Sequence, residues 1–448
     1  MRSSSSRAML FTALALNWPL FAQAETSRTV AIAPEVAGRV SIAADAANPA
    51  RLVVSGWGAG RCAGMGAGVH LSEDGGATWS TGCTYPGNAD DEGPVETPAV
   101  AFDSEGTLVV VQPFYWDADG GSLMVGRSRD GGKTWEDWHR ITRSHFARGT
   151  LRNAGIVRDA SATSRYPGRL YASYTDNSNN RAVIRVGWSD DGGLQWTVEN
   201  ASPVAEGKEL LDMSHLTTGR DGSVYLSYLS CIGEMGADCH GRPAEARVIR
   251  STNGGKSWSE PAVLAQTHLP PDRGDWQYPN FGGLPGTGTA LSFSPVVAVD
   301  NSSGPHQNRL YTVMTTYAHQ RLQVLLVTSD DRGATWSAPQ PVAGGPKLAD
   351  QFMPWVSVNS QGLVAVTWLD QRAQPLEAGY QPMVAYSVDG GASFSKPKAL
   401  QPQISQPAAL RTLEGIASHT WAGDRLKTGF IGTDEAGATI LQLGTTKP

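Results

Sequence analysis

The chain has 448 residues, of which 40% are hydrophobic and 17% charged, a balance that can bury a sizeable core and excludes a disordered polypeptide. A net charge of -6 excludes a nucleic-acid binder, which would need a basic face. The 51 Gly and 14 Trp favour many short strands joined by tight turns.

At the N-terminus, Arg2 and Arg7 precede a mostly apolar stretch from Ala8 to Ala22, and Ala22-Gln23-Ala24 follows a small-x-small pattern. This reads as a secretory signal over residues 1–24, with the mature domain over 25–448 and a secreted or periplasmic location. No later stretch approaches the roughly 18 apolar residues that span a bilayer, so a soluble monomer without membrane or nucleic-acid partners is expected. Four cysteines fit an oxidising compartment, and the spacings predict Cys62–Cys83 and Cys231–Cys239 disulfides. A zinc site from Cys231, Cys239 and His240 is the alternative; no metal or other cofactor is expected.

From Ser72 onward one eight-residue pattern, Ser-x-Asp-x-Gly-x-x-Trp, occurs six times: SEDGGATW, SRDGGKTW, SDDGGLQW, STNGGKSW, SDDRGATW and SVDGGASF. Asn253 replaces the Asp once and Phe394 the Trp once. The Asp can accept backbone N–H groups and Gly supplies positive φ, so the pattern is a hairpin turn. Six recurrences argue that these Asp residues build structure, since an enzyme needs one site. Upstream of each lies strand, turn, strand, as in PAVAFD-SEG-TLVVVQPFYW. Each repeat therefore holds four strands, A to D, and matches a propeller blade. Innermost A strands begin near Arg39, Thr97, Ala154, Met213, Pro295, Pro354 and Gly415. An all-β propeller of seven blades follows, with residues 29–33 supplying the missing strand beside 438–443; six blades plus an extension is the alternative.

These repeats resemble the Asp boxes of the sialidase superfamily, the bacterial-neuraminidase-repeat proteins. The resemblance covers nearly the whole mature chain and implies three arginines gripping a sugar carboxylate, a Tyr nucleophile activated by a Glu, and an Asp acid/base. Bidentate Arg suits a carboxylate, and a Tyr nucleophile is a known exception among glycoside hydrolases. The segment matching the first arginine reads AGRVSIAADAANPARLVVSGW, with Arg39 and Arg51 but no Arg-x-Pro, and the strand DGSVYLSYLSC ends without Arg. The catalytic set is therefore not transferred residue by residue.

In a propeller the D–A and B–C connections surround the mouth of the central funnel, and the repeated C–D turns lie on the opposite face. Candidate catalytic residues at A-strand starts are Glu96, Asp212 and Asp350. Candidate substrate-binding residues are Arg152, Arg321, Arg372, His215 and Tyr317, with Trp276 and Tyr278 from the long insertion 265–294 folded over the mouth. Carboxylates, arginines and aromatics together suit a carbohydrate. The expected function is an exported, sialidase-like glycoside hydrolase acting on an extracellular glycan. A non-catalytic glycan- or protein-binding propeller is one alternative, and a polysaccharide lyase using His215 or His145 is another.

Overall fold

The computed structural model describes residues 27–448 except 59–61, 63–66, 85–91, 95, 117–119, 137, 145–150, 179–180, 207–208, 233–238, 272–281, 288, 345–348, 375–378, 407–412 and 414. The signal segment, His145, Trp276, Tyr278 and the acidic Asp90 and Asp91 lie outside the described residues.

The strands form seven antiparallel sheets, one per blade. Their innermost strands are Ala37–Ala44, Ala99–Phe102, Leu151–Arg158, Glu209–Thr218, Val296–Val299, Gln351–Val358 and Ala417–Ala422. These touch one another in cyclic order, the last against the first, and so enclose a central channel. Each then pairs outward with strands B, C and D. Period-2 alternation explains the layering: in Leu108–Trp116 and Val364–Asp370 both faces are apolar because each blade is sandwiched between neighbours.

The seventh sheet is closed by the N-terminus. Arg28–Pro34 pairs antiparallel with Thr439–Thr446, Val30 opposite Leu443, as the repeat count predicts. This removes a free edge at the chain's seam. Cys62–Cys83 and Cys231–Cys239 are both disulfide-bonded.

All six repeated turns have one wiring. The Ser hydroxyl donates to the Asp or Asn two residues on and accepts the N–H of the second Gly position, as Ser128 does with Asp130 at 2.8 Å and Gly132 at 2.7 Å. The Asp oxygen accepts the N–H four residues on, as in Thr134 to Asp130 at 2.9 Å. The hydroxyls of Thr134, Thr335 and Ser393, followed by their backbone N–H groups, pull Asp130, Asp331 and Asp389 down to about 2. Trp196, Trp258 and Trp336 fold back to donate to their own turn's Gly carbonyl. These carboxylates are committed to turn geometry on the face opposite the mouth.

Candidate functional site

Four A strands share a feature at their first residues. Register slips between Ala37 and Ser41, Arg152 and Gly155, Asp212 and His215, and Phe352 and Trp355. Within each slip one residue takes positive φ: Gly38 at 72°, Asn153 at 54°, Met213 at 59° and Met353 at 56°. A bulge re-aims the side chains around it, here at the end of each strand that borders the mouth. Glu96 occupies the equivalent place in blade 2, in the gap between Glu92–Pro94 and Ala99–Phe102.

These positions converge on one cluster. Asp212 is 1% exposed. It accepts from Arg152 Nη2 at 2.7 Å, Thr175 Oγ1 at 2.7 Å, its neighbour's N–H at Met213 at 2.8 Å, and Asn153 Nδ2. Burial pushes the Asp212 carboxyl up, but the Arg152 charge and the hydrogen bonds from Asn153, Thr175 and Met213 outweigh it, so the net shift is downward. Asp212 is a fixed anion that holds Arg152 and Asn153 in place. Arg39, on blade 1, donates to the other side of the Asn153 amide.

Glu96 has the opposite character. It keeps part of its surface open while its carboxyl lies deep among protein atoms, and among the described residues Oε2 accepts the Asn153 N–H alone, at 2.7 Å. Burial raises its pKa; the charges of Arg39 and Arg152 oppose this without cancelling it. Two carboxyls in one cluster are therefore driven apart, one held ionised and one inclined to keep its proton, the environment that separates an acid from an electrostatic partner.

Across the ring, Asp350 is 5% exposed and accepts the Leu322 N–H at 2.6 Å. Burial raises its pKa as well, against the Leu322 N–H and the Arg321 charge. Tyr317, on the same hairpin as Arg321, is half-buried against the central core. Arg372 is tied into the B–C corner of blade 6: its Nη2 donates to Asp370 at 2.6 Å and its N–H to the same carboxylate at 2.7 Å. Among the described residues no contact joins Arg372 to the Asp212 cluster. His215 lines the central channel below, with its ring edge-on to Trp355 at 4.8 Å; burial lowers its pKa to about 4, so the ring is neutral. Arg39 and Trp355 also line the channel, and the rest of its wall is small, hydroxyl-bearing and apolar residues from all seven blades.

The fold thus brings together Glu96, Arg152 and Asp212, sets Asp350 and Arg321 side by side on another part of the ring, and keeps Arg372 with Asp370. Asn153 and Thr175 join the first group; Asn153 is placed at an A-strand start by the sequence, whereas neither type nor spacing marks Thr175. Arg39 also joins, at the position where the family resemblance places its first arginine.

Comparison with known proteins bears on the family and the fold. Residues 36–282 match the model of the BNR repeat-like domain. A sialidase from Micromonospora viridifaciens is 29% identical over 307 residues, 65% of this chain. The chain spans only 42% of that sialidase's length. Among solved structures, the PL25 ulvan lyase aligns over 94% of this chain and 96% of its own, with a TM-score of 0.55 at 12% identity. The Hadza microbial sialidase Hz136 aligns over 89% of this chain and 75% of its own, with a TM-score of 0.49 at 13% identity.

Proposed function

The chain belongs to the BNR repeat-like domain family, within the sialidase superfamily, and from that premise we propose that it is an exported glycoside hydrolase that cleaves a glycan at the propeller mouth, with Glu96 as proton donor. The single observation that carries this reading is the Glu96 environment: a carboxyl raised by burial and placed beside two arginines and a permanently ionised Asp212. Such a carboxyl keeps its proton to higher pH than an ordinary glutamate and can pass it to a departing glycosidic oxygen. As the bond from the anomeric carbon to that oxygen breaks, Glu96 gives up its proton, and water supplies the hydroxyl that ends on the anomeric carbon and the proton that returns to Glu96. Arg39 and Arg152 orient acidic or hydroxyl groups of the sugar, and Asp212 positions Arg152. Asp350, the other carboxyl raised by burial, is the candidate for activating the incoming group from the opposite rim. Two disulfides support an oxidising, extracytoplasmic setting.

The test is release of reducing ends from defined glycans, and of nitrophenol from 4-nitrophenyl glycosides, by wild type, Glu96→Gln and Asp350→Asn. Loss of an acid/base typically costs 10²–10⁴-fold. Glu96→Gln should lose about that much on unactivated glycans and less on nitrophenyl glycosides, whose leaving group needs little protonation. Wild-type rates in Glu96→Gln on an unactivated glycan would overturn the assignment. Retention of glycans without cleavage would make the chain a binding propeller, and an unsaturated product would make it a lyase.

A further inference from the structure

Each innermost strand is the last of its sheet, so one row of its backbone N–H and C=O groups faces the channel axis instead of a neighbouring strand. Buried backbone groups need partners. Some find them in the next blade: the Val100 N–H donates to Ser41 Oγ at 3.2 Å, and Ser418 Oγ donates to the Val40 carbonyl at 2.9 Å. For the backbone of residues 154–157 and 354–357, the described residues offer no partner beyond strand B.

Side chains add the same demand. Thr97, 7% exposed, and His215 both line the channel, and among the described residues neither Thr97 Oγ1 nor His215 Nδ1 has a hydrogen-bond partner. Burial keeps the His215 ring neutral and the Val297 backbone holds its N–H, so Nδ1 is an acceptor. An anion cannot donate to it. Arg39, the one charged side chain among the described wall residues, disfavours a cation. A small neutral molecule that both donates and accepts is left. The channel encloses about 150 Å³, room for several waters, and it is polar enough to hold them. Its upper end is marked by Arg39 and by Thr97, the residue after Glu96, whereas Ile42, Val100, Ile156 and Leu216 make the lower wall apolar. The polar groups are therefore gathered toward the mouth.

We infer that the channel holds a column of ordered water anchored on His215 Nδ1 and Thr97 Oγ1, and that its top supplies the water consumed beside Glu96 once a glycan covers the mouth; the supply role rests on the hydrolase reading. One water gives its hydroxyl to the anomeric carbon and its remaining proton to Glu96, and the next in the column takes its place. Thr97 and His215 position the column and touch no sugar.

The experiment compares wild type with Ser294→Leu, which fills the channel from its half-buried wall, and Ser294→Ala, which leaves it open. The readouts are high-resolution crystal structures and initial rates on unactivated oligosaccharides. Waters should stand within hydrogen-bond distance, about 3 Å, of both anchors in wild type and Ser294→Ala, and be displaced in Ser294→Leu. Ser294→Leu should lose at least tenfold in kcat with KM within twofold of wild type, and Ser294→Ala should match wild type. A smaller loss in a folded Ser294→Leu, or an equal loss in Ser294→Ala, would overturn the supply role. Density for an anion at the anchors, or no water at either, would overturn the column. If Ser294→Leu does not fold, Thr97→Val replaces it, removing one anchor without adding volume. Loss of the adjoining water with a threefold or greater fall in kcat then supports the proposal, and a smaller fall overturns it. If wild type cleaves no oligosaccharide, the hydrolase reading fails on its own, and the column is judged by the crystallographic waters alone.

Discussion

At the residue scale the site depends on how many donors each buried carboxyl receives. Among the described residues the Asp212 carboxylate has four hydrogen-bonding partners, one of them a guanidinium, and stays ionised; the Glu96 carboxyl has one and is pushed toward its protonated form. Replacing Asp212 by Asn takes from the buried Arg152 guanidinium its 2.7 Å carboxylate, and breaking a buried pair costs about 3–5 kcal/mol. Urea denaturation of Asp212→Asn should show a loss of that order, and a change under about 1 kcal/mol would mean that the Arg152 pair is not fixed in place. For Glu96 the raised pKa sets the sign. The folded state holds the proton longer than the unfolded chain, so stability declines as pH climbs from the ordinary carboxyl range through the raised value. Glu96→Gln, which cannot ionise, should therefore gain in melting temperature relative to wild type as pH rises from 4 to 8. Glu96, Arg152 and Asp212 were legible from their place at A-strand starts. Their division into a carboxyl inclined to keep its proton, a guanidinium and an ionised counter-charge was not, because burial and donor count appear only once blades 2, 3 and 4 adjoin.

At the element scale the bulged A-strand starts decide which side chains reach the mouth. The positive-φ residues there are Gly38, Asn153, Met213 and Met353, which share no chemical type. Alternation of apolar and polar residues locates a strand but says nothing about a slip in its register; this is why Asn153 could be placed at an A-strand start but not given its bridging role. Asn153 carries two duties, a left-handed backbone and an amide bridging Arg39 to Asp212. Asn153→Gly keeps the first and loses the second, whereas Asn153→Ala loses both. Thermal unfolding should rank them wild type, then Gly, then Ala, and an Ala variant more stable than the Gly variant would show that backbone strain at the bulge is not the controlling factor. The repeated turns were the opposite case: Ser, Asp and Gly at fixed offsets each have one physical task, so the hairpins could be read directly.

For the whole molecule, seven A strands against six turn motifs predicted both the blade number and the closure of the last sheet by the N-terminal strand. Less legible were the cationic latches between blades. Arg169 and Arg309 each donate to the first Gly carbonyl of the next blade's turn at 2.8 Å, and Lys427 makes the equivalent bond across the seam, to Gly75 at 2.7 Å. Arg169-Leu170-Tyr171 and Arg309-Leu310-Tyr311 repeat one triplet that carries the signal, but Lys427 has no such context. Lys427 is 6% exposed, so Lys427→Met takes the donor from the half-buried Gly75 carbonyl and should cost about 1 kcal/mol, measured as a lower urea midpoint. An unchanged midpoint would show that strand pairing alone holds the ring shut. In the proposed reading, a closed ring is what lets Glu96, on blade 2, and Asp350, on blade 6, act on one ligand from two sides. The most direct test of that account is the pH dependence of kcat/KM on an unactivated oligosaccharide for wild type and Glu96→Gln. The account predicts a wild-type rate that falls as pH rises through the raised Glu96 pKa, and a variant at least a hundredfold slower without that alkaline fall; equal rates with the same alkaline fall in both proteins would contradict it.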